Sequence, residues 1–392
     1  MGPAFLVTAA FIGPGTVTAC AAAGAAFGTA LLWVLVVATV SAIVLQEMAA
    51  RLGAGAGLGL GEALLGAADS KTTRLGASGL LLAALVVGNA AYESGNLAGG
   101  ALGLDALIGS LTGTEGGGRL SVLLLSGVAA VALAAGRYRA LERLLIGLVI
   151  GMSVSFLAAA ILSRPDLAEL AGGLAPTLPG GATLTVLALI GTTIVPYNLF
   201  LHAAAAKARF GPGREVAAAR RDTVLAVSLG GLVSASILIV AAGSGGGALT
   251  GLLDETLGPS GRFLMGLGLA AAGLTSAVTA PMATGFVVSE LSGASPARRP
   301  LVFKATALGV LAVGTLTALL GLKPVNLILV AQAANGVLLP VVAVFLLVVT
   351  NRRALLGSHV NGPVSNLLAG MTVLLAAGLG LRAFLRLAGA PL

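Results

Sequence analysis

Residues 182–208 read ATLTVLALIGTTIVPYNLFLHAAAAKA. The stretch is apolar enough, and longer than the roughly 20 residues needed, to cross the hydrocarbon core of a bilayer as a helix. Its centre contradicts a plain helix. Pro196 removes a backbone hydrogen bond and clashes with the preceding turn. Thr192, Thr193, Asn198 and His202 cluster around it, although polar side chains in lipid are costly unless partnered. The span is therefore expected to be broken near Pro196, with freed backbone groups gathered at depth. Discontinuous helices of this kind build the midplane site of secondary transporters.

The rest of the chain has the composition of a membrane protein. Hydrophobic residues make up 57% and charged residues 9% of the 392 positions, whereas soluble domains carry about 25% charged residues. Only helices and closed barrels satisfy the backbone in lipid. Barrels alternate apolar and polar residues; here the apolar runs are continuous, so the class is all-α. The 58 glycines lie largely inside those runs, where small residues let helices approach closely. Cys20 stands alone, which excludes a disulfide framework or a thiolate metal site; it is read as a small packing residue. The start, MGPAFLVTAAFIGPG, has neither a basic n-region nor an A-x-A site, so no cleaved signal peptide is expected.

Eleven spans are predicted, near 4–26, 29–50, 76–104, 119–135, 141–162, 182–208, 223–246, 264–292, 301–321, 325–350 and 364–387. Segments 51–74, 163–181 and 209–222 read as loops, the first with an amphipathic stretch. With the N-terminus inside, 16 of the 22 Lys and Arg fall on the inner side, among them Arg51, Lys71, Arg137, Lys207, Arg214, Arg220, Arg298, Arg299 and Arg353. Cytoplasmic loops carry such an excess, so the chain is expected in the cytoplasmic membrane with its N-terminus in the cytoplasm. The net charge of +8 then reflects contact with an anionic leaflet rather than with nucleic acid.

The first span is interrupted too, at Ile12-Gly13-Pro14-Gly15-Thr16-Val17-Thr18. Glycines flanking a proline permit unusual backbone angles and remove hydrogen bonds. Breaks in spans one and six, five spans apart, suggest an inverted repeat: 1–162 and 182–350, with 364–387 as an eleventh helix outside it. Either break also reads as a packing kink, and Asn198 as a partner for freed backbone.

The chain resembles the NRAMP family of proton-coupled metal-ion transporters. The resemblance is carried by Ala26-Phe27-Gly28, Leu31-Leu32-Trp33, Gln46 to Gly53, Pro196, Asn198 to His202, Gln332 to Gly336 with Pro340, Leu355 to Gly357, and Val360-Asn361. It implies the LeuT-type fold of two inverted five-helix repeats plus an eleventh helix. It also implies where this chain departs from the family. The family's first break is Asp-Pro-Gly-Asn, whose Asp and Asn bind metal; those positions are Gly13 and Thr16. Its second break is Met-Pro-His, whose metal-binding Met is Val195 here and whose His is Tyr197. Gln332 matches a family ligand and remains.

The expected substrate site is thus Gly13, Thr16, Thr192, Val195, Tyr197, Asn198 and Gln332: hydroxyls, carbonyls and amides without formal negative charge. A soft thioether selects transition metals, and a divalent ion is costly to dehydrate into neutral groups, so tight transition-metal binding is not expected.

Few charges lie within the spans. The resemblance pairs Glu93 with Asn96 on a proton route and puts His202 on the proton exit; a hydrogen-bonded core Glu and a helix–helix bridging His are the plainer readings. Glu47 and Arg51, spaced i, i+4, read as a structural ion pair. Glu290 reads as solvated or snorkelling, and Ser121 and Ser126 as packing residues. No nucleophile triad, paired acid/base chemistry or phosphate loop is present, so an enzyme is not expected, nor a cofactor. The sequence leads to a secondary transporter of a cation, with a small organic solute, or a channel or receptor-like role, as alternatives.

Overall fold

The computed structural model describes residues 12–67, 70–113, 117–136, 139–211, 213, 215–244, 249–292 and 300–387. Among these the regular structure is helical and no strand occurs. The α-helices longer than a single turn are α1 (Pro14–Phe27), α2 (Leu32–Arg51), α3 (Leu60–Ala67), α4 (Lys71–Thr112), α5 (Arg119–Ala135), α6 (Arg139–Leu162), α7 (Leu167–Gly173), α8 (Thr183–Thr193), α9 (Pro196–Phe210), α10 (Val216–Gly243), α11 (Pro259–Leu291), α12 (Pro300–Ala318), α13 (Pro324–Thr350) and α14 (Pro363–Leu387).

Nine helical segments among the described residues have the length and apolarity to cross a membrane, with α8 and α9 counted together. Helix α5 is a shorter apolar helix, and α1 is the second part of the first span. Together they account for the eleven spans. The part of that span at 4–11, and the basic loop residues Arg137, Arg214, Arg298 and Arg299, lie outside the described residues.

Burial follows the logic of a membrane interior. Large apolar side chains such as Ile161, Leu225, Leu316 and Leu374 are exposed, which suits a surface solvated by hydrocarbon. Polar side chains such as Asn89, Glu93, Asn198 and Gln332 are buried, because lipid offers them no partner. The longest seam runs between α4 and α11, and glycine makes it close. A Cβ on Gly103 would stand 2.5 Å from Ala270 N, and one on Gly266 would stand 3.0 Å from Gly103 O. Such backbone proximity replaces the hydrophobic effect as the adhesive between helices in lipid.

Three connections differ from the sequence reading. Segment 163–181 contains α7, whose N-cap Asp166 accepts the Ala168 N–H at 2.8 Å. Asp in that position satisfies an otherwise orphaned donor. Helix α10 begins at Val216, inside the expected loop 209–222. Helix α4 runs for 42 residues, past both ends of the expected 76–104. At about 1.5 Å per residue it is about twice as long as the hydrocarbon core is thick. Hydropathy marks only the part in lipid, so all three differences fall where helices leave it.

One end of the bundle is stitched by charge. Glu47 and Arg51 pair at 3.2 Å, as their spacing predicted, and Arg220 of α10 reaches the same carboxylate at 2.9 Å. Arg51 also donates to His359 O at 2.7 Å and to Asn361 Oδ1 at 2.6 Å. Nearby, Lys207 of α9 meets Glu62 of α3 at 2.6 Å. Glu62 accepts the Gly59 N–H at 2.8 Å, and Glu290 of α11 accepts the Gly61 N–H at 3.0 Å. Glu290 is therefore half-buried and wedged against the start of α3, a correction to the solvated reading. Its carboxylate supplies from another span the acceptor that a helix N-terminus lacks. Ser121 and Ser126 also do more than pack. Ser121 donates to Asp105 at 2.5 Å and Ser126 accepts from Thr315 at 2.9 Å, joining α5 to α4 and α12. At the other end of α2, Trp33 Nε1 donates to Thr177 O at 2.9 Å, fastening α2 to the coil after α7.

Candidate functional site

The two interruptions have the same local cause. Gly13 is extended, and α1 begins at Pro14 with its first intrahelical bond from Val17 N to Gly13 O at 3.2 Å. In the sixth span α8 ends at Thr193, Ile194 and Val195 leave the helical region, and α9 begins at Pro196. Proline is favoured at a first helical position, where its missing N–H is no loss. Both helices therefore start at a proline, and neither receives a side-chain cap. Both present the positive end of a helix dipole to the breaks.

The breaks meet. Thr16 and Thr192 share a hydrogen bond of 2.8 Å between their hydroxyls, 176 positions apart in sequence. Helix α13 closes over both. A Cβ on Gly15 would collide with the Gln332 side-chain amide, standing 2.6 Å from its Cδ. A Cβ on Gly191 would collide with the Gln332 carbonyl and stand 2.6 Å from Gly336 N. Two glycines, one per broken span, thus let Gln332 sit between α1 and α8. Val195 is fully buried in the second break.

Helix α4 supplies the remaining wall, and its side chains divide into two faces. Gly88, Gly95 and Gly99 abut Leu338, Ala331 and Pro14 respectively, so this face looks at α13 and the start of α1. Tyr92 belongs to it. Its ring lies 5.4 Å from that of Tyr197, edge to face at 68°, a favourable aromatic geometry. On the other face the Glu93 side chain packs on Gly314 of α12, and the Asn96 backbone carbonyl meets Gly273 of α11. Asn96 Nδ2 donates to Glu93 Oε2 at 3.3 Å, leaving Glu93 Oε1 and Asn96 Oδ1 without a partner. Of the expected residues, Gly13, Thr16, Thr192, Val195, Tyr197 and Gln332 are brought to the breaks. Asn198 follows Tyr197 in α9, fully buried, with neither amide atom partnered; it does not serve the freed backbone. Glu93 and Asn96 sit on the other face of α4 from this group, although the Glu93 carboxyl remains within electrostatic reach of Tyr92 and Tyr197. His202 is separate: it shares a 2.8 Å hydrogen bond with Gln46 of α2, the helix–helix bridge that was one of its two readings.

Sequence reasoning missed Tyr92 as a site residue. An aromatic in an apolar run gives no signal of its own; only its one-turn spacing from Gly88 and Gly95 could have placed it. Asn335 was read only as part of a resemblance. It stands one turn from Gln332, beside Gly88, with its Nδ2 unpartnered. Among the described residues no group of three or more His, Cys, Asp or Glu stands ready to hold a metal.

Among the described residues, nine spanning segments and the shorter α5, with α1 joined to the sixth span at its break, define a multi-pass membrane protein of the LeuT type. The same fold is found in a manganese transporter from Eremococcus coleocola, with a TM-score of 0.74 at 22% identity over 97% of this chain and 85% of that one. It is also found in Mhp1, a nucleobase-cation-symport-1 family transporter, with a TM-score of 0.63 at 17% identity over 99% and 93%. The chain belongs to the Nramp family: the model for natural resistance-associated macrophage protein-like sequences matches residues 4–386. Among its relatives, a divalent metal cation transporter MntH from Mycobacterium leprae is 30% identical over 94% of this chain and 87% of its own length. An MntH from Klebsiella pneumoniae is 30% identical over 92% and 87%.

Proposed function

We propose that this Nramp-family protein is a secondary transporter that carries its cargo between the two helix breaks by alternating access, and that it does not hold transition metals tightly. The observation that carries the reading is the Thr16–Thr192 hydrogen bond of 2.8 Å, which ties the unwound point of one half to that of the other. Residues 1–162 and 182–350 are the two repeats, and the chain lies in the cytoplasmic membrane with its N-terminus inside. Gly13, Thr16, Thr192, Val195, Tyr197, Asn198 and Gln332 line the cargo site. Glu93 with Asn96, and His202, carry proton coupling from beside that site, Glu93 packing on Gly314 within electrostatic reach of Tyr92 and Tyr197.

The relatives named above are divalent metal transporters. Here glycine and valine occupy the positions of the family's carboxylate and thioether, and the remaining groups are neutral dipoles. Neutral oxygens do not offset the dehydration of a small divalent ion. The test restores both ligands. The double change Gly13→Asp with Val195→Met should raise Mn²⁺ affinity measured by isothermal titration at least tenfold over the unmodified protein. Unchanged weak binding would show that the cargo site lies elsewhere. Uptake by proteoliposomes under an imposed pH gradient tests the coupling: a Glu93→Gln protein should take up cargo without responding to the gradient.

A further inference from the structure

The breaks hold more unpartnered polarity than a cation can use. Asn198 Nδ2, Gln332 Nε2 and Asn335 Nδ2 are buried carboxamide donors without a protein partner. Asn198 Oδ1 and Gln332 Oε1 are buried and unpartnered as well, and the buried hydroxyls of Tyr92 and Tyr197 lie close enough to interact with each other. None of the five residues is more than 1% exposed. A buried donor or acceptor left unmade costs about 1–3 kcal/mol, and such groups in a native fold call for a partner.

Their chemistry discriminates among partners. A metal ion takes lone pairs only. It would engage the carboxamide oxygens and leave the three N–H₂ groups unsatisfied. The starts of α1 and α9 add positive dipole ends, uncapped by any side chain, and these disfavour a bare cation. The carboxyl next to Tyr92, that of Glu93, packs on Gly314 of α12 and stands within electrostatic reach of both tyrosines. Beside them, Tyr92 of α4 and Tyr197, the chain neighbour of Asn198, set their rings 5.4 Å apart, a wall suited to a flat organic face. A carboxamide or ureide offers what this set lacks: a carbonyl for the N–H groups, N–H for the amide oxygens and tyrosine hydroxyls, and a plane for the rings.

We infer that the cargo is a small uncharged amide-type solute, a carboxamide or ureide, held by Gln332, Asn198 and Asn335 against the Tyr92–Tyr197 pair. This deepens, and rests on, the transport reading above. Tyr92 and Asn335 thereby become specificity-determining residues of the site.

The test uses the purified full-length chain with acetamide, nicotinamide and uracil as amide probes, and MnCl₂ and MgCl₂ as cation probes, by calorimetric titration. At least one amide probe should bind saturably, and neither metal should. Gln332→Leu should weaken that binding at least tenfold. Tyr92→Leu should do the same, and Tyr92→Phe, which keeps the ring and so guards against misfolding, should weaken it less. Saturable Mn²⁺ or Mg²⁺ binding that depends on Gln332, without amide binding, overturns the inference; so does silence from all three amide probes. Counterflow of labelled uracil and nicotinamide in proteoliposomes separates the two levels. Amide binding without any counterflow refutes transport and leaves the ligand class standing. Divalent counterflow without amide binding refutes the ligand class and leaves transport standing.

Discussion

Gly15 and Gly191 both touch Gln332, but replacing each with alanine should have opposite kinds of effect. At Gly191 the new Cβ would collide with the Gln332 carbonyl and stand 2.6 Å from Gly336 N and 3.0 Å from Gln332 C. Ordinary carbon contacts are about 3.5–4.0 Å, so α8 and α13 must separate by about 1 Å. Both obstacles are backbone in the middle of a continuous helix and cannot swing aside. Overpacking of this kind costs about 1–3 kcal/mol, sometimes more, and Gly191→Ala belongs at the upper end. At Gly15 the obstacle is the far end of a flexible side chain, with Gln332 Cδ at 2.6 Å and Oε1 at 3.2 Å. The amide can rotate away for about 0.5–1.5 kcal/mol, and exchanging glycine for alanine in a helix returns up to about 1 kcal/mol. Thermal unfolding in detergent micelles should therefore show Gly191→Ala several degrees below the unmodified protein and Gly15→Ala within a degree or two of it. Probe binding should nevertheless fall in Gly15→Ala as far as in Gln332→Leu, because the amide has been turned out of place. Equal midpoints for the two alanine variants would refute the packing argument. Full binding in Gly15→Ala would remove Gln332 from the site.

Other perturbations reach the remaining polar contacts. Gln46→Leu should strand His202, at a cost of about 1–3 kcal/mol for a buried group left unpaired; in the double variant with His202→Leu part of that loss should return, as a thermal double-mutant cycle will report. Arg51→Met leaves the buried Glu47 carboxylate with only the half-exposed Arg220, and should cost about 3 kcal/mol, the lower end for a broken buried pair. Glu62 is partly desolvated, which alone would raise its pKa, but the Lys207 ammonium and the Gly59 N–H outweigh this and hold it below its ordinary 4.5. A depressed carboxylate stabilises the fold above its unfolded value and ceases to do so as pH falls through the folded one. Acid titration of stability should thus show a loss below about pH 4.5 that is smaller in Glu62→Gln; since the Lys207–Glu62 pair is partly exposed, the difference should stay under about 1 kcal/mol.

The membrane interior of this fold was legible because lipid imposes a simple rule on composition, and the rule holds wherever helices are in lipid. It fails at their ends. Lys71 to Arg74 open α4 without an apolar residue, Arg220 to Asp222 interrupt the apolar start of α10, and α7 is a surface helix signalled only by Asp166. The breaks were legible for a related reason: Thr192, Asn198 and Gln332 are conspicuous in apolar spans, and prolines at 14 and 196 have few other uses there. What the sequence withheld was pairing. Glu290 meets Gly61 across 229 positions, and no local pattern encodes that contact. Glu93 drew attention by its charge, yet the neighbouring Tyr92, turned by one residue, is the side chain that faces the breaks.

Trp33 is the chain's single tryptophan, and its indole N–H is fastened to the coil after α7. The protein therefore carries a built-in optical gauge. If that coil lifts from α2 during the transport cycle, the bond opens, water reaches the ring, and its emission shifts to the red with no other indole to blur the signal. Cys20, the single thiol, is buried, so a cysteine introduced at the surface for a paired dye would react against a silent background. Cycle kinetics are thus open to measurement on an otherwise unaltered chain.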